Sequence, residues 1–486
     1  MERSMAEESL DPDDWAAFRA LAHRAVDDAV TYMQQVRERP VWQSPPADVR
    51  ARLHAPLPMA PQGAEKTYDE FVRTVLPYPT GNIHPRFWGW VMGTGTPFTA
   101  LAEMLAATMN CNTGDFDDGA SLVEDQVLAW LKELMGFPAE AGGLLVSGGS
   151  MANFVGLTVA RDARAGVDVP RLGVAAAPRP PAAYASAQTH SSVLKAMQIL
   201  GLGRDALRLL PVDDAFALDV RALAGAVAAD RREGRQPFCV VANAGTVNTG
   251  AMDPFAELAD FCRAEGLWLH VDGAFGAMAA LAPALRGRLA GLERADSLAF
   301  DLHKWGYFPI EAGCVLVRDA AAQRRSFMVT ADYLAPVPGG MASRAPRLAE
   351  HGPQLSRGFR ALKIWMGLKE QGALKIGRLV QQNVDQAAHL AERVRAHEEL
   401  EILAPAPLNV VCFRFVGRPK VAAPDPLNQR LLVRLHQGGV AAPSHTVVDG
   451  AYALRVAITN HRTRRADLDL LVEEVVRLGR SLREEA

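Results

Sequence analysis

The sequence predicts an α/β protein: a mostly parallel sheet in a large domain, followed by a smaller C-terminal α+β domain. Three observations predict it. From about residue 96, short apolar runs alternate with helical stretches. After about residue 365 the order becomes helix, strand, helix, strand, helix. The residues able to do chemistry fall at or just past the ends of predicted strands, where ligands gather in open α/β sheets. With 486 residues the chain exceeds one simple core. It divides into an N-terminal helical arm and dimerisation segment (1–95), a large ligand-binding domain (96–364) and a small C-terminal domain (365–486).

The elements follow in order. Residues 11–38 read as a helix capped by Asp11 or Asp13, with Pro40 beyond its end. Residues 41–63 are Pro-rich and read as an arm that wraps a partner subunit. The strand-like "GGLLVSGG" runs into the helix "SMANFVGLTVARDARAG", and "AAYASA" leads to "HSSVLKAMQILG". "FCVVANAG" is followed by "DPFAELADFCRAEG", in which Asp253 suits the N-cap, Pro254 the first turn and Gly266 the stop. Then come "LWLHVDGAFG", "SLAFDLHKWG" and "CVLVRD". In the last part, "LNVVCFRF" and "YALRVAI" read as strands, with helices at roughly 365–396, 426–437 and 465–484.

Composition narrows the function classes. A net charge of -3 with no Lys/Arg-rich run argues against a nucleic-acid partner. No window reaches the ~18 apolar residues of a membrane span, and the acidic start (Glu7, Glu8, Asp11, Asp13, Asp14) is unlike a secretory leader. Five scattered cysteines without a CxxC pair indicate neither a disulfide framework nor a zinc site, and no metal site is expected. Reduced thiols fit a cytoplasmic protein.

Four positions carry the chemistry. Ser147-Gly148-Gly149-Ser150 joins a strand to a helix. Its amides suit a phosphate, and it serves equally as a glycine turn with a serine cap. Asp272 ends a well-alternating strand and offers a carboxylate that any cation could pair. His190 opens a helix as a cap or as a functional ring. Lys304 sits between His303 and Trp305 at the end of the next strand, a solvated strand end or a nucleophile. A phosphate cradle, a carboxylate and a lysine on one rim are together what pyridoxal 5'-phosphate (PLP) requires.

The motifs "SGGSMAN", "QTHSSVLKA", "HVDGAFG", "DLHKWG", "ADYL" and "LSRGFRALKIW" resemble those of the group II PLP-dependent amino acid decarboxylases, the family of aromatic-L-amino-acid and glutamate decarboxylases. The likeness runs from about His84 to the C-terminus. It implies the type I aminotransferase-like fold and a homodimer with active sites at the interface. It implies that Lys304 bonds to PLP, Asp272 holds the pyridine nitrogen, Ala274 lies under the ring and His190 stacks on it. Gly148, Gly149 and Ser150 then bind the phosphate with His303 nearby, and Thr246 lies by the phenolic edge. The resemblance also implies that Asp253 pairs with Arg357 in support. Tyr333, in a Pro/Gly-marked stretch, returns a proton to Cα. Trp88, Trp90, Met92 and Ser356 fall at substrate-pocket positions.

The implied reaction is decarboxylation of an aromatic L-amino acid, tyrosine or dopa, to the amine and CO2. Two rivals share the scaffold. One is an acidic or diamino acid, met by Arg86 or by the cluster Asp115, Asp117 and Asp118, which departs from the family pattern. The other is an aldehyde synthase, against which the presence of Tyr333 argues.

Overall fold

The computed structural model describes residues 8–329 and 337–485. Its centre is a seven-stranded sheet in the order β2-β8-β7-β6-β5-β3-β4. The strands are β2 (Gly142–Val146), β3 (Pro181–Ser186), β4 (Leu207–Leu210), β5 (Gln236–Asn243), β6 (Trp268–Asp272), β7 (Ser297–Asp301) and β8 (Gly313–Val317). β7, β6, β5, β3 and β4 are mutually parallel, and β8 runs antiparallel between β2 and β7. β2 therefore points the same way as β7, and both end on one rim. Every residue of β2, β6, β7 and β8 is buried, because helices cover both faces.

A second sheet has the order β1-β11-β12-β10-β9, made of β1 (Phe87–Trp88), β9 (Leu400–Ile402), β10 (Val410–Phe415), β11 (Ala442–Val448) and β12 (Ala451–Ala457). β10 and β12 are the two strands expected from sequence. β1, β9 and β11 are additions: Phe87 pairs with Ala442, so the end of the N-terminal segment joins the C-terminal sheet. The helix Ala373–Arg395 links the two cores. Its Ile376 and Val380 pack in the main core, and Leu390 and Val394 in the second.

Several boundaries differ from expectation. The first helix is Trp15–Gln34, and its N-cap is Asp14, which accepts from Ala16 and Ala17 N–H. The stretch expected as one helix from about 365 is two, Ala361–Gln371 and Ala373–Arg395, broken at Gly372 with φ +70°. Asp253 does not cap the helix Phe255–Glu265, whose N-cap is Pro254; Gly266 does end it, in the left-handed conformation.

Candidate active site

Three strand ends build the site. β5 and β6 end in register, Asn243 opposite Asp272, and Asp272 lies opposite Ala299 of β7. Asp272 is 5% exposed and accepts hydrogen bonds on both oxygens. Asn153 Nδ2 donates to Oδ2 at 2.8 Å, and the Ala274 N–H to Oδ1 at 3.1 Å.

Beyond β7 the chain turns on two backbone bonds to Ala312 O, from Leu302 and His303. This places Lys304 Nζ 2.9 Å from Asp301 Oδ2. His303 Nδ1 accepts the Ala312 N–H at 3.1 Å, so the neutral ring carries its proton on Nε2. Burial pushes the His303 pKa down, with Asp301 opposing. Trp305 Nε1 and Tyr307 OH both donate to Asn383 Oδ1, at 3.0 and 2.7 Å. Asn383 thus ties the lysine segment to the helix that links the two cores.

The glycine turn lies against this segment. Gly148 is the N-cap of the helix Gly149–Arg164. A Cβ on Gly313 would sit 2.5 Å from Gly148 Cα, so only glycine lets β8 and the turn approach. A Cβ on Gly149 would lie 2.9 Å from Asp301 Oδ2 and 3.3 Å from the Ala274 methyl. The first amides of this helix have no carbonyl a turn earlier to bond, and they can serve an anion.

His190 caps the helix Ser191–Ile199: its Nδ1 accepts the Ser192 N–H at 3.2 Å and lies 2.8 Å from Ser192 Oγ. Burial lowers its pKa, the Asp272 charge raises it, and Lys304 lowers it again.

A cavity of about 240 Å³ brings together His190, Asp272, Ala274, Lys304 and Trp90 of the expected residues. Asn243, Asn248, Phe275, Ser444, His445 and Arg455 line it as well. Arg455 is 3% exposed and donates to Asn248 O and Trp90 O; its Nη2 has no hydrogen-bond partner among the described residues. Asp301 carried a signal in sequence, an acid ending a strand three residues before the lysine. Asn153 and Arg455 carried none.

Other expected residues sit elsewhere. Trp88 is fully buried in the second core, with Nε1 on Thr463 Oγ1 at 3.2 Å, and does not line the cavity. Trp90 does, because φ +53° breaks the strand alternation that would have put both tryptophans on one face. Met92 packs on Val41, Phe87 and Ala442, and Ser356 is exposed; neither lines the cavity. Thr246 turns its hydroxyl into its own turn, accepting the Ala251 N–H at 3.0 Å, while its neighbours Gly245 and Val247 line the cavity.

Arg357 does not pair with Asp253. Its partner is Glu124, and Asp253 accepts instead from Leu218 N–H at 2.8 Å and Asn243 N–H at 2.6 Å. Two satisfied backbone donors on adjoining segments leave Asp253 no need of a distant cation. Arg86 donates to Val440 O away from the cavity. Of the aspartate cluster, Asp118 caps the helix Gly119–Met135, and none lines the cavity. Tyr333 lies outside the described residues.

Comparison with known proteins fits this arrangement. Residues 46–416 match the model of the pyridoxal-dependent decarboxylase conserved domain. The chain is 34% identical over 460 residues to an aromatic-L-amino-acid decarboxylase of Bacillus atrophaeus, covering 93% of each chain. It is 33% identical to an L-2,4-diaminobutyrate decarboxylase of Rhizobium meliloti over 88% of this chain and 84% of that one. Among solved structures, Oryza sativa TDC with PLP and tryptamine superposes with a TM-score of 0.89 at 28% identity, over 98% of this chain and 100% of that one.

Proposed function

The chain belongs to the pyridoxal-dependent decarboxylase family, and from that membership we propose how its own side chains carry the reaction. The fold is that of the type I PLP-dependent enzymes, and the activity is PLP-dependent decarboxylation of an aromatic amino acid to its amine and CO2. One observation carries the assignment of residues: Lys304, Asp272 and His190, from three separate elements, line one cavity beside a helix N-terminus.

The residues present suit the cofactor. Gly149 has no side chain to fill the space between the turn and Ala274. The amides of Gly149 and Ser150, after Gly148, would hold the phosphate, with His303 Nε2–H at the edge of the turn. Asp272 would hold the ring nitrogen, His190 and Ala274 the two ring faces, and Lys304 the aldehyde carbon. When bound, PLP supplies the electron sink that lets the bond from Cα to the carboxylate break.

The chain's own part is electrostatic and positional. Two uncharged donors, Asn153 Nδ2 and the Ala274 N–H, hold the Asp272 carboxylate at the cavity. Asp301 holds the Lys304 ammonium by the turn. Trp90, Val91, Val247 and Phe275 give the cavity apolar walls for an aromatic side chain. Tyr333 is our candidate to protonate Cα, on its sequence position alone.

A second reading, an acidic substrate, is favoured by the unpartnered nitrogen of Arg455. A panel of L-amino acids, with CO2 and amine both measured, separates the two. Turnover of tyrosine, dopa or tryptophan supports the aromatic reading. Turnover confined to acidic or diamino acids rejects it.

We also propose a homodimer in the cytoplasm. The helix Pro97–Met109 exposes Phe98, Leu101, Met104, Leu105 and Met109, and the helix Trp15–Gln34 has no buried residue. Such an apolar surface calls for a partner. No helix among the described residues is long and apolar enough to cross a membrane, and all five cysteines are free. The three-part division at 95 and 364 remains our proposal for the domains.

A further inference from the structure

β6 presents Trp268, His270 and Asp272 at alternate positions, on one face of the sheet. Only Asp272 reaches the cavity. His270 is fully buried behind it, and Trp268 is 4% exposed. The polar atoms of this face form one chain. Trp268 Nε1 lies 2.8 Å from Ser297 Oγ, which lies 2.8 Å from His270 Nδ1. His270 Nε2 lies 2.9 Å from Asn153 Oδ1. Asn153 Nδ2 donates to Asp272 Oδ2 at 2.8 Å and to Ser192 Oγ at 3.0 Å.

Donor chemistry gives the chain a direction. An indole N–H can only donate. Ser297 accepts it, and because the Asn153 carbonyl can only accept from His270 Nε2, Ser297 turns its own proton to the free Nδ1. Burial keeps the imidazole neutral, pushing its pKa down to about 4, so the remaining ring proton is on Nε2. That proton goes to the Asn153 carbonyl, which leaves the amide NH2 facing Asp272 and Ser192. Gly156 makes the packing possible: a Cβ there would meet His270 Cε1 at 2.6 Å.

We propose that His270 is a positioning residue for Asp272: it never touches the cavity, but its Nε2 proton locks the Asn153 amide so that a donor always meets the carboxylate that faces the cofactor. The proposal rests on the assignment of Asp272 to the ring nitrogen. It differs from mere space-filling, because only a donor at position 270 satisfies the buried Asn153 carbonyl while the amide NH2 faces Asp272.

The test has two arms. The first needs no cofactor: 15N NMR of the ligand-free, histidine-labelled chain, with His270→Gln to identify the signals. It should show a neutral His270 protonated on Nε2 from about pH 6 to 8. A ring protonated on Nδ1, or a cation in that window, overturns the relay. The second arm measures PLP affinity and turnover. Glutamine can still donate to Asn153, so His270→Gln should stay close to the parent. His270→Leu fills space without donating, and the isosteric Asn153→Asp turns a donor into an acceptor. Each should weaken PLP binding roughly ten- to hundredfold, the worth of a hydrogen bond to a charged group. Equal behaviour of the glutamine and leucine variants, or a parent-like Asn153→Asp, overturns the proposal. If His270→Leu does not fold, Asn153→Asp decides the second arm. A parent chain that fails to take up PLP would overturn the assignment of function and leave the first arm readable.

Discussion

Arg357 and Glu124 form an ion pair in which neither side chain has any exposure to solvent. Arg357 also donates to Leu145 O at 2.9 Å and to Thr113 O at 3.3 Å. It thereby fastens β2 just upstream of the glycine turn. Removing one buried partner leaves the other uncompensated, at a cost of about 3–5 kcal/mol. Arg357→Ala should lose that much in urea unfolding of the ligand-free chain. Arg357→Lys should recover only part, since one ammonium cannot serve three acceptors spread around a guanidinium. A loss under ~1 kcal/mol for Arg357→Ala would show that the pair does not hold the turn.

Asp272→Asn keeps the size of the side chain and removes its charge. The variant should fold and still bind PLP through the untouched phosphate cradle, with an affinity lowered at least as much as in His270→Leu. Turnover should fall by on the order of 10²–10³, as for loss of an electrostatic group acting on the transition state. Turnover near that of the parent would rule out the assigned role.

Tyr333→Phe tests the proton donor. Loss of CO2 depends on the ring and not on the phenol, so it should continue. Without a proton delivered to Cα, dissolved oxygen takes two electrons and leaves as hydrogen peroxide, one water supplies the aldehyde oxygen, and amine gives way to aldehyde and ammonia. Stoichiometric amine without oxygen uptake would show that Tyr333 has no part in protonation.

His270 predicts a pH dependence of stability. Its folded pKa of about 4 lies below the unfolded value of about 6.5, so the unfolded chain takes up the proton first. Its share of stability is complete above about pH 6.5 and is lost as pH falls toward 4, by about 3 kcal/mol. The difference in unfolding free energy between the parent and His270→Gln should therefore shift against the parent across that window. A difference independent of pH would mean that His270 takes up its proton as readily in the folded chain as in the unfolded one.

The sheet and its rim were legible because each motif carries its own local signal. Alternation marks β6 up to Asp272, and a glycine pair marks the strand-to-helix turn at Gly148. The partners of those residues were not legible. Asn153 meets Asp272 across 119 positions, and Arg357 meets Glu124 across 233, distances over which no periodicity speaks. Trp88 and Trp90 show a subtler limit. Two residues apart, they read as one face of a strand until the positive φ at Trp90 sends one into a core and the other to the cavity. β11 was missed because its outer half, from His445 to Val447, is exposed or half-buried and gave no apolar run.

The most direct measurement is reduction of the PLP-loaded chain with borohydride, followed by peptide mapping. Among the described residues, Lys304 is the one lysine lining the cavity. A pyridoxyl group should appear on Lys304 alone, with the visible cofactor band abolished and no label in Lys304→Ala. A label on Lys195 or Lys363 would contradict it.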